Sequence, residues 1–371
     1  MSEAASQRPN RLMPRGLLVL LGLAATVVIV AGMKGASSIL GITFLTLILT
    51  IAVHPLHTLL VRKVPSWLAT IVCLLVVYLG ILGLAAMLFV SAAQFASLLP
   101  QYEEQFDQLV GQIGDLLARL HIDQDQILKV TAGLDLSKLG QILTSALSAV
   151  LGVVSNLVFI ITLLLFMTID GATFPRHMMN AAKIRPTIIT AIMGFSSSTR
   201  RYLLVSTVFG LIVAVLDTIV LAILDVPAPI LWGLLAFLTN YIPNIGFVIG
   251  LIPPAILALL SGGPGLMIVV IVVYCVINLI IQSAIQPKVV GDAVGLSTSL
   301  TFLSLIFWAW VLGPLGAILA IPLSLLVRAI LVDADPDSRW LVPLVANHEE
   351  RANRAASTES AGSETPAAET S

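Results

Sequence analysis

Between Pro227 and Leu260 the chain runs uncharged and apolar except for one polar turn, Asn240-Tyr241-Ile242-Pro243-Asn244-Ile245-Gly246. Its residue types suit binding rather than bond-making. Pro243 removes an amide, Asn244 is a good N-cap, and a helix end leaves carbonyls on one side of a break and amides on the other. The spacing therefore predicts two half-length helices, Pro229 to Tyr241 and Ile245 to Leu260, whose ends present opposite partial charges to one spot. Discontinuous helices of this kind hold a solute or ion near the middle of a bilayer. Two plainer readings compete. The run could be one span kinked at Pro243, because membrane helices absorb proline. Asn240, Pro243, Asn244 and Gly246 could also do no more than satisfy the turn's own backbone.

Two further polar sets lie in apolar surroundings. Asn278, Gln282 and Gln286 recur every four residues, which on a regular helix makes one stripe. Such a stripe lines a solute path or hydrogen-bonds neighbouring helices. Asp217 is an acidic residue deep in a span: Arg201 and Asp225 lie about 24 Å and 12 Å away along a helix. Intramembrane carboxylates are costly and often relay protons or bind cations, which makes Asp217 an ion-coupling candidate; the bland alternative is a polar partner on a neighbouring helix. A second interruption, Gly313-Pro314-Leu315-Gly316, divides Ser299 to Leu331 as glycine and proline divide helices, so Gly313, Pro314 and Gly316 would contribute backbone to a matching turn.

Enzymatic chemistry has little to stand on. His54 and His57 lack the acidic base and third ligand of a metalloprotease, while His121, His177 and His348 are isolated. No phosphate-cradling loop, nucleophile elbow or paired aspartates occurs, and no metal or cofactor set is expected. Cys73 and Cys275 fall inside apolar runs and read as packing residues.

The elements that must position these groups follow from composition. Hydrophobic residues make up 58% of the chain and charged ones 11%, against roughly 25% charged in soluble domains. The apolar runs are continuous, which excludes the alternation of a membrane barrel. The fold class is an all-α integral membrane protein: a polytopic helical bundle with two re-entrant helical hairpins. Residues 1–15, with Arg8, Arg11 and Arg15, form a cytoplasmic N-terminal segment. Residues 16–93 hold three spans, Gly16 to Met33, Ala36 to Val53 and Trp67 to Ala93. The first two make a hairpin at Lys34-Gly35, and His54-Pro55 ends the second. Residues 94–141 form an extracytoplasmic amphipathic helical segment, either a solvated lid or a subunit contact, with apolar residues from Leu98 to Leu120 at helical spacing. Residues 142–201 hold a span ending near Ile169 and a basic cytoplasmic loop with Arg176, Lys183, Arg185, Arg200 and Arg201. Residues 202–332 form a core of two span-plus-hairpin units, Tyr202 to Leu224 with 227–260, then Gly265 to Ile285 with 299–331. Hairpins entering from opposite sides make an inverted repeat, faintly echoed by Trp232, Pro243 and Gly246 against Trp308, Pro314 and Gly316. Residues 333–371 are a cytoplasmic, largely disordered tail.

The stretch Leu231-Trp232-Gly233-Leu234-Leu235-Ala236-Phe237-Leu238-Thr239-Asn240-Tyr241-Ile242-Pro243-Asn244-Ile245-Gly246, with Ile252-Pro253-Pro254, resembles the signature of the bacterial autoinducer-2 exporter family. Gln286-Pro287-Lys288-Val289-Val290-Gly291, Gly295-Leu296-Ser297 and Gly313-Pro314-Leu315-Gly316 with Pro322 resemble the same family in the same order, as do His54-Pro55-Leu56 and Val64-Pro65. The similarity spans about residues 16 to 332. It implies a multi-pass protein of the bacterial inner membrane, with both termini in the cytoplasm by the basic-residue pattern. It further implies a homo-oligomer, with five subunits as the suggested count, and export of autoinducer-2 or a related metabolite. In some relatives it implies exchange of sodium or lithium for protons. Gln286 stands where some relatives carry an acidic residue, which weakens proton coupling at that position. The partners expected are therefore the lipid bilayer and a small polar solute or monovalent cation, with no nucleic acid. A reading of another class is a membrane scaffold that transports nothing.

Overall fold

A computed structural model describes residues 14–102, 104–106, 108, 111, 144, 148, 151–243, 245–286 and 296–335. Most of the expected extracytoplasmic segment, Asn244 and the tail beyond residue 335 lie outside the described residues. Those described form helices: α1 (Arg15–Gly35), α2 (Ser37–Leu60), α3 (Ser66–Leu98), α4 (Leu157–Ala182), α5 (Pro186–Ile223), α6 (Pro229–Thr239), α7 (Gly246–Asn278), α8 (Thr298–Leu312), α9 (Pro314–Ile318) and α10 (Ala320–Arg328). A π-helical segment, Leu279–Ile285, continues α7, and a π turn, Ala329–Asp333, follows α10.

Runs Ser37–Leu60, Ser66–Tyr102, Pro186–Ile223 and Gly246–Gln282 are long and apolar enough to cross a bilayer. Large apolar side chains such as Ile39, Leu59, Leu79, Ile219 and Ile223 are exposed along them, as lipid-facing residues must be. The fourth run is not one straight crossing. At Gly263 the backbone turns to φ 77°, ψ −173°, a conformation that needs a residue without Cβ. Pro264 then starts a new limb, so α7 consists of limbs 246–262 and 264–278.

Three expected boundaries are corrected. The second span does not end at His54-Pro55, because α2 carries Pro55 inside it and continues to Leu60. One lost amide is a smaller defect than ending a helix in an apolar medium. The span expected to stop near Ile169 continues to Ala182, and α5 begins at Pro186 rather than Tyr202. Lys183 and Arg185 thus sit on the short turn between the two helices, while Arg176 lies in the last turns of α4 and Arg200 and Arg201 lie inside α5, not on a loop. At 38 residues, α5 is about 57 Å long, well beyond the roughly 30 Å hydrocarbon thickness.

The first interrupted run is a helical hairpin, not a kinked span. Ala236 Cα lies 3.5 Å from where a Cβ on Gly250 would sit, whereas a continuous helix would hold those residues about 21 Å apart. Ile242 N–H donates to Thr239 O at 2.8 Å and Gly246 N–H to Ile242 O at 3.0 Å, turning the chain back on itself. The cap position before α7 is held by Ile245, with no side-chain capping bond. The second run doubles back as well. Gly313 takes φ 70°, and the buried Trp308 Nε1 donates to Ser324 Oγ at 3.0 Å across the fold. Its return arm is not one half-length helix but two pieces, broken at Leu319 between α9 and α10.

The centre of the bundle is α5, which packs most extensively on α6 and also meets α2, α4, α7 and α10. Phe95 of α3 meets Trp232 of α6 edge to face at 5.1 Å, and Trp232 Nε1 donates to Pro227 O at 2.9 Å. Lys34, at the end of α1, lies 4.0 Å over the Trp310 ring of α8, joining the N-terminal hairpin to the second interrupted run. Close approach of α5 and α6 depends on Gly233: a Cβ there would overlap the Thr218 hydroxyl and come within 2.9 Å of Ala214 O. Gly233→Ala is expected to cost about 1–3 kcal/mol, lowering the thermal midpoint of the detergent-solubilised protein by several degrees. Gly80→Ala, built into open space on α3, leaves that midpoint unchanged.

Candidate transport site

A small polar cavity lies where the first hairpin meets α5 and the π-helical segment. Asp217 enters it from α5, Thr239 and Asn240 from the end of α6, Tyr274 and Asn278 from the second limb of α7, and Gln282 from the π-helix. Val213, Ala236, Phe247 and Gly250 complete the wall. About 20 Å³ is open to the centre of a water-sized particle, enough for a single water or a bare monovalent ion, since one water needs roughly 10–15 Å³ by this measure.

Asn240 organises the cavity. Its Nδ2 donates to Ser206 O on α5 at 2.9 Å, and its Oδ1 accepts from Gln282 Nε2 at 2.8 Å. The next residue is also tied to α5: Tyr202 OH donates to Tyr241 O at 2.8 Å, and the Thr207 and Tyr241 hydroxyls are 2.6 Å apart. One hydrogen bond between membrane helices contributes about 0.6 kcal/mol on average, so four hold the turn by roughly 2.4 kcal/mol, a bias of about 50-fold. That suffices to define a closed arrangement and is small enough to be reversed in a transport cycle.

Beside this latch lie three buried polar atoms without a hydrogen bond: Asp217 Oδ1, Tyr274 OH and Asn278 Oδ1. Asp217 is 2% exposed and Tyr274 3%. Buried polar groups are ordinarily paired, and orphaned ones cluster at functional places.

The expected site residues divide into two groups. Asn240, Asn278, Gln282 and Asp217 meet in the cavity, although 61 residues separate Asn278 from Asp217 in the chain. Gly246 is buried against the Thr239 carbonyl, and Pro243 O accepts from Ile245 N–H at 2.7 Å; both shape the turn without lining the cavity. Gln286 does not line the cavity: it lies one turn beyond Gln282, at the end of the π-helical segment. Gly313, Pro314 and Gly316 lie apart from the cavity as well. Gly316 sits on the Trp308 carbonyl, and Leu315 packs toward Gly41 of α2, 3.5 Å from a Cβ built there.

Sequence reasoning missed Tyr202, Ser206, Thr207, Gly210, Thr239, Tyr241 and Tyr274. One signal was available: Tyr202, Ser206, Gly210 and Asp217 fall within an arc of about 80° on one helix face. Gly210 belongs there because a Cβ would approach Asn240 Nδ2 to 2.7 Å.

A second cavity, about 410 Å³, is lined chiefly by Leu296, Leu300, Leu303, Phe307, Val327, Leu331 and Val332, with Trp308, Ser304, Ser324 and Arg328 at its polar points. Its size exceeds that of the first, but its wall is mostly apolar and it holds none of the orphaned atoms of the hairpin site.

Interrupted helices that enclose buried polar groups inside a membrane bundle are the arrangement of many membrane transport proteins. The chain belongs to the AI-2E family of transporters, whose family model matches residues 23–334. It is 31% identical over 317 residues to the AI-2 transport protein TqsA of Escherichia coli (strain K12), covering 85% of this chain and 92% of TqsA. YhhT of the same strain is 29% identical over 312 residues, covering 83% and 88% of the two chains. A Haemophilus influenzae protein is 30% identical over 344 residues, covering 89% and 97%. Both of these carry only provisional names as transport proteins.

Asn240→Ala removes two of the four latch bonds and leaves Gln282 Nε2 without its partner. Amide hydrogen exchange at Ile242 and Gly246 is expected to accelerate about 10-fold. Gln282→Ala should give a smaller acceleration, and the double variant should fall short of the sum of the two.

Proposed function

We propose that this protein is a secondary transporter of the bacterial inner membrane that exports a small polar solute, autoinducer-2 or a related metabolite, past the turn of the first hairpin. The observation that carries this reading is the polar cavity closed by Asn240 and Gln282 beside three buried, unpaired polar atoms. Membership in the AI-2E family and the similarity to the AI-2 transport protein TqsA supply the solute class. In the conformation described the cavity takes only a water-sized particle, so passage of a furanone requires the latch to open. The four bonds set a barrier of the right order for a gate, one that thermal motion crosses and a bound solute can bias.

In this reading both hairpins are re-entrant and enter from opposite faces. Ile242 and Ile245 of the first turn pack against the core cluster holding Trp308, Leu319 and Ala320 of the second run, which supports opposed tips. Each hairpin also seats a glycine, Gly246 or Gly316, on a carbonyl of its own first arm, as an inverted repeat would require. Asn244, Pro243 and Gly246 then shape the passage, while Gly313, Pro314 and Gly316 form the opposite tip. Cytoplasmic termini and assembly into a homo-oligomer, five subunits by resemblance, belong to the same proposal. A second reading, exchange of sodium or lithium for protons, is favoured by the carboxylate of Asp217 in the cavity wall.

Purified protein in liposomes should release entrapped autoinducer-2 faster than protein-free vesicles. Asn244→Ala should lower the rate by at least about 10-fold without reducing recovery of folded protein, whereas Asn240→Ala, which frees the latch, should raise downhill release. Normal flux in both variants would remove the turn from the path. Cysteines placed singly at positions 228 and 262 should label from the same side of the membrane, and labelling from opposite sides would rule out re-entrance.

A further inference from the structure

The orphaned atoms of the cavity point to a coupling site. Asp217 Oδ1, as part of a carboxylate, and Asn278 Oδ1, as an amide carbonyl, can only accept hydrogen bonds. Tyr274 OH offers one donor to the two of them. Gln282 Nε2 spends one N–H on Asn240 Oδ1 and Thr239 Oγ1 donates to Leu235 O at 2.9 Å; in this arrangement no donor reaches Asp217 Oδ1 or Asn278 Oδ1. The carboxylate is buried and has no ion pair among the described residues.

Tyr274 is the titratable side chain that shares the cavity with Asp217. On α6 and the π-helical segment there is none, and Cys275 of α7 is exposed. From the other elements packed on α5, His54 and His57 (α2), Asp170 and His177 (α4), Arg328 (α10) and Asp333 (π turn) do not line it. On α5 itself Arg200 and Arg201 lie about 24 Å away along the axis.

We propose that Asp217, Tyr274 and Asn278 form a proton-carrying site that couples proton movement to the opening of the first hairpin. One added proton closes the account. The neutral carboxyl O–H donates to Asn278 Oδ1 and Tyr274 OH donates to the carboxyl oxygen, directly or through the single water the cavity can hold. Losing that proton returns an unpaired charge to the low-dielectric wall next to Asn240 and Gln282, where it favours admitting water and loosening the turn. A proton suits the site better than a metal cation, because a hard cation asks for several oxygen ligands and two of the nearby polar groups are committed elsewhere.

The inference rests on the transport reading for its coupling but not for its proton. In lipid nanodiscs at neutral pH, infrared difference spectroscopy against alkaline buffer should show the C=O stretch of one buried protonated carboxyl. The band should vanish in Asp217→Asn, shift in Tyr274→Phe, and stay unchanged when sodium replaces choline. Absence of the band in the wild type, or its loss on adding sodium, would overturn the proton site, the latter in favour of a cation. In liposomes loaded with autoinducer-2, a gradient of about one pH unit should change the steady-state solute ratio about 10-fold for one coupled proton. Asp217→Asn should lose that response, reaching the same solute ratio with and without the gradient. Flux indifferent to the gradient in the wild type would leave the exporter reading intact and refute coupling. The band without any autoinducer-2 flux would do the reverse.

Discussion

The arrangement depends on one constraint: polar backbone and side-chain groups released where a helix stops inside an apolar medium must find partners within the protein. At the first hairpin Asn240 supplies much of the answer. It ends α6, donates to a carbonyl of α5 and accepts from Gln282, so a single amide joins three elements. Tyr241 adds two further ties to the same helix. The other features of the site follow from bringing these groups together. Gly210 and Gly233 let the hairpin approach α5, and the π-helical segment carries Gln282 to Asn240.

The same constraint explains why α5 is the axis of the core. It runs unbroken for 38 residues, so it can serve as a fixed frame for elements that are interrupted. Both interrupted runs pack on it or on its neighbours, and their weak points, Gly263, Gly313 and Leu319, lie where a helix can pivot at low cost. A rigid helix carrying Asp217 next to a hinged hairpin carrying Asn240 is an arrangement in which a charge change on one alters the other without displacing the rest of the bundle.

Membership in the AI-2E family and the cavity chemistry bear on different questions. The role of TqsA concerns that protein and comes to this chain only within the proposed function. Asp217, Tyr274 and Asn278 lie outside the stretch Leu231–Gly246 that carries the family resemblance, whereas Asn240 lies within it. The proposed passage depends on the shape of a turn, and the proposed coupling on buried polar atoms left unpaired beside it.

Much of the architecture was legible from residue order alone, because continuous apolar runs, prolines at first-turn positions and glycines at breaks act over a few residues and need no knowledge of neighbours. The break at Asn240 to Ile245, the break at Gly313 and the polar residues Asp217, Asn240, Asn278 and Gln282 were visible for that reason. Helix ends near Pro55, Ile169 and Tyr202 were misjudged, since a helix in lipid keeps its backbone bonds past a proline or a charge when stopping would expose more of them. Which polar groups meet was beyond local rules. The end of the cavity at Gln282, short of Gln286, and the approach of Tyr274 to Asp217 arise only when α5, α6 and α7 pack together. Periodicity fixed which residues share a face of one helix, and tertiary packing decided which faces met, because contact between helices depends on side-chain volume and hydrogen-bond supply at positions far apart in the chain.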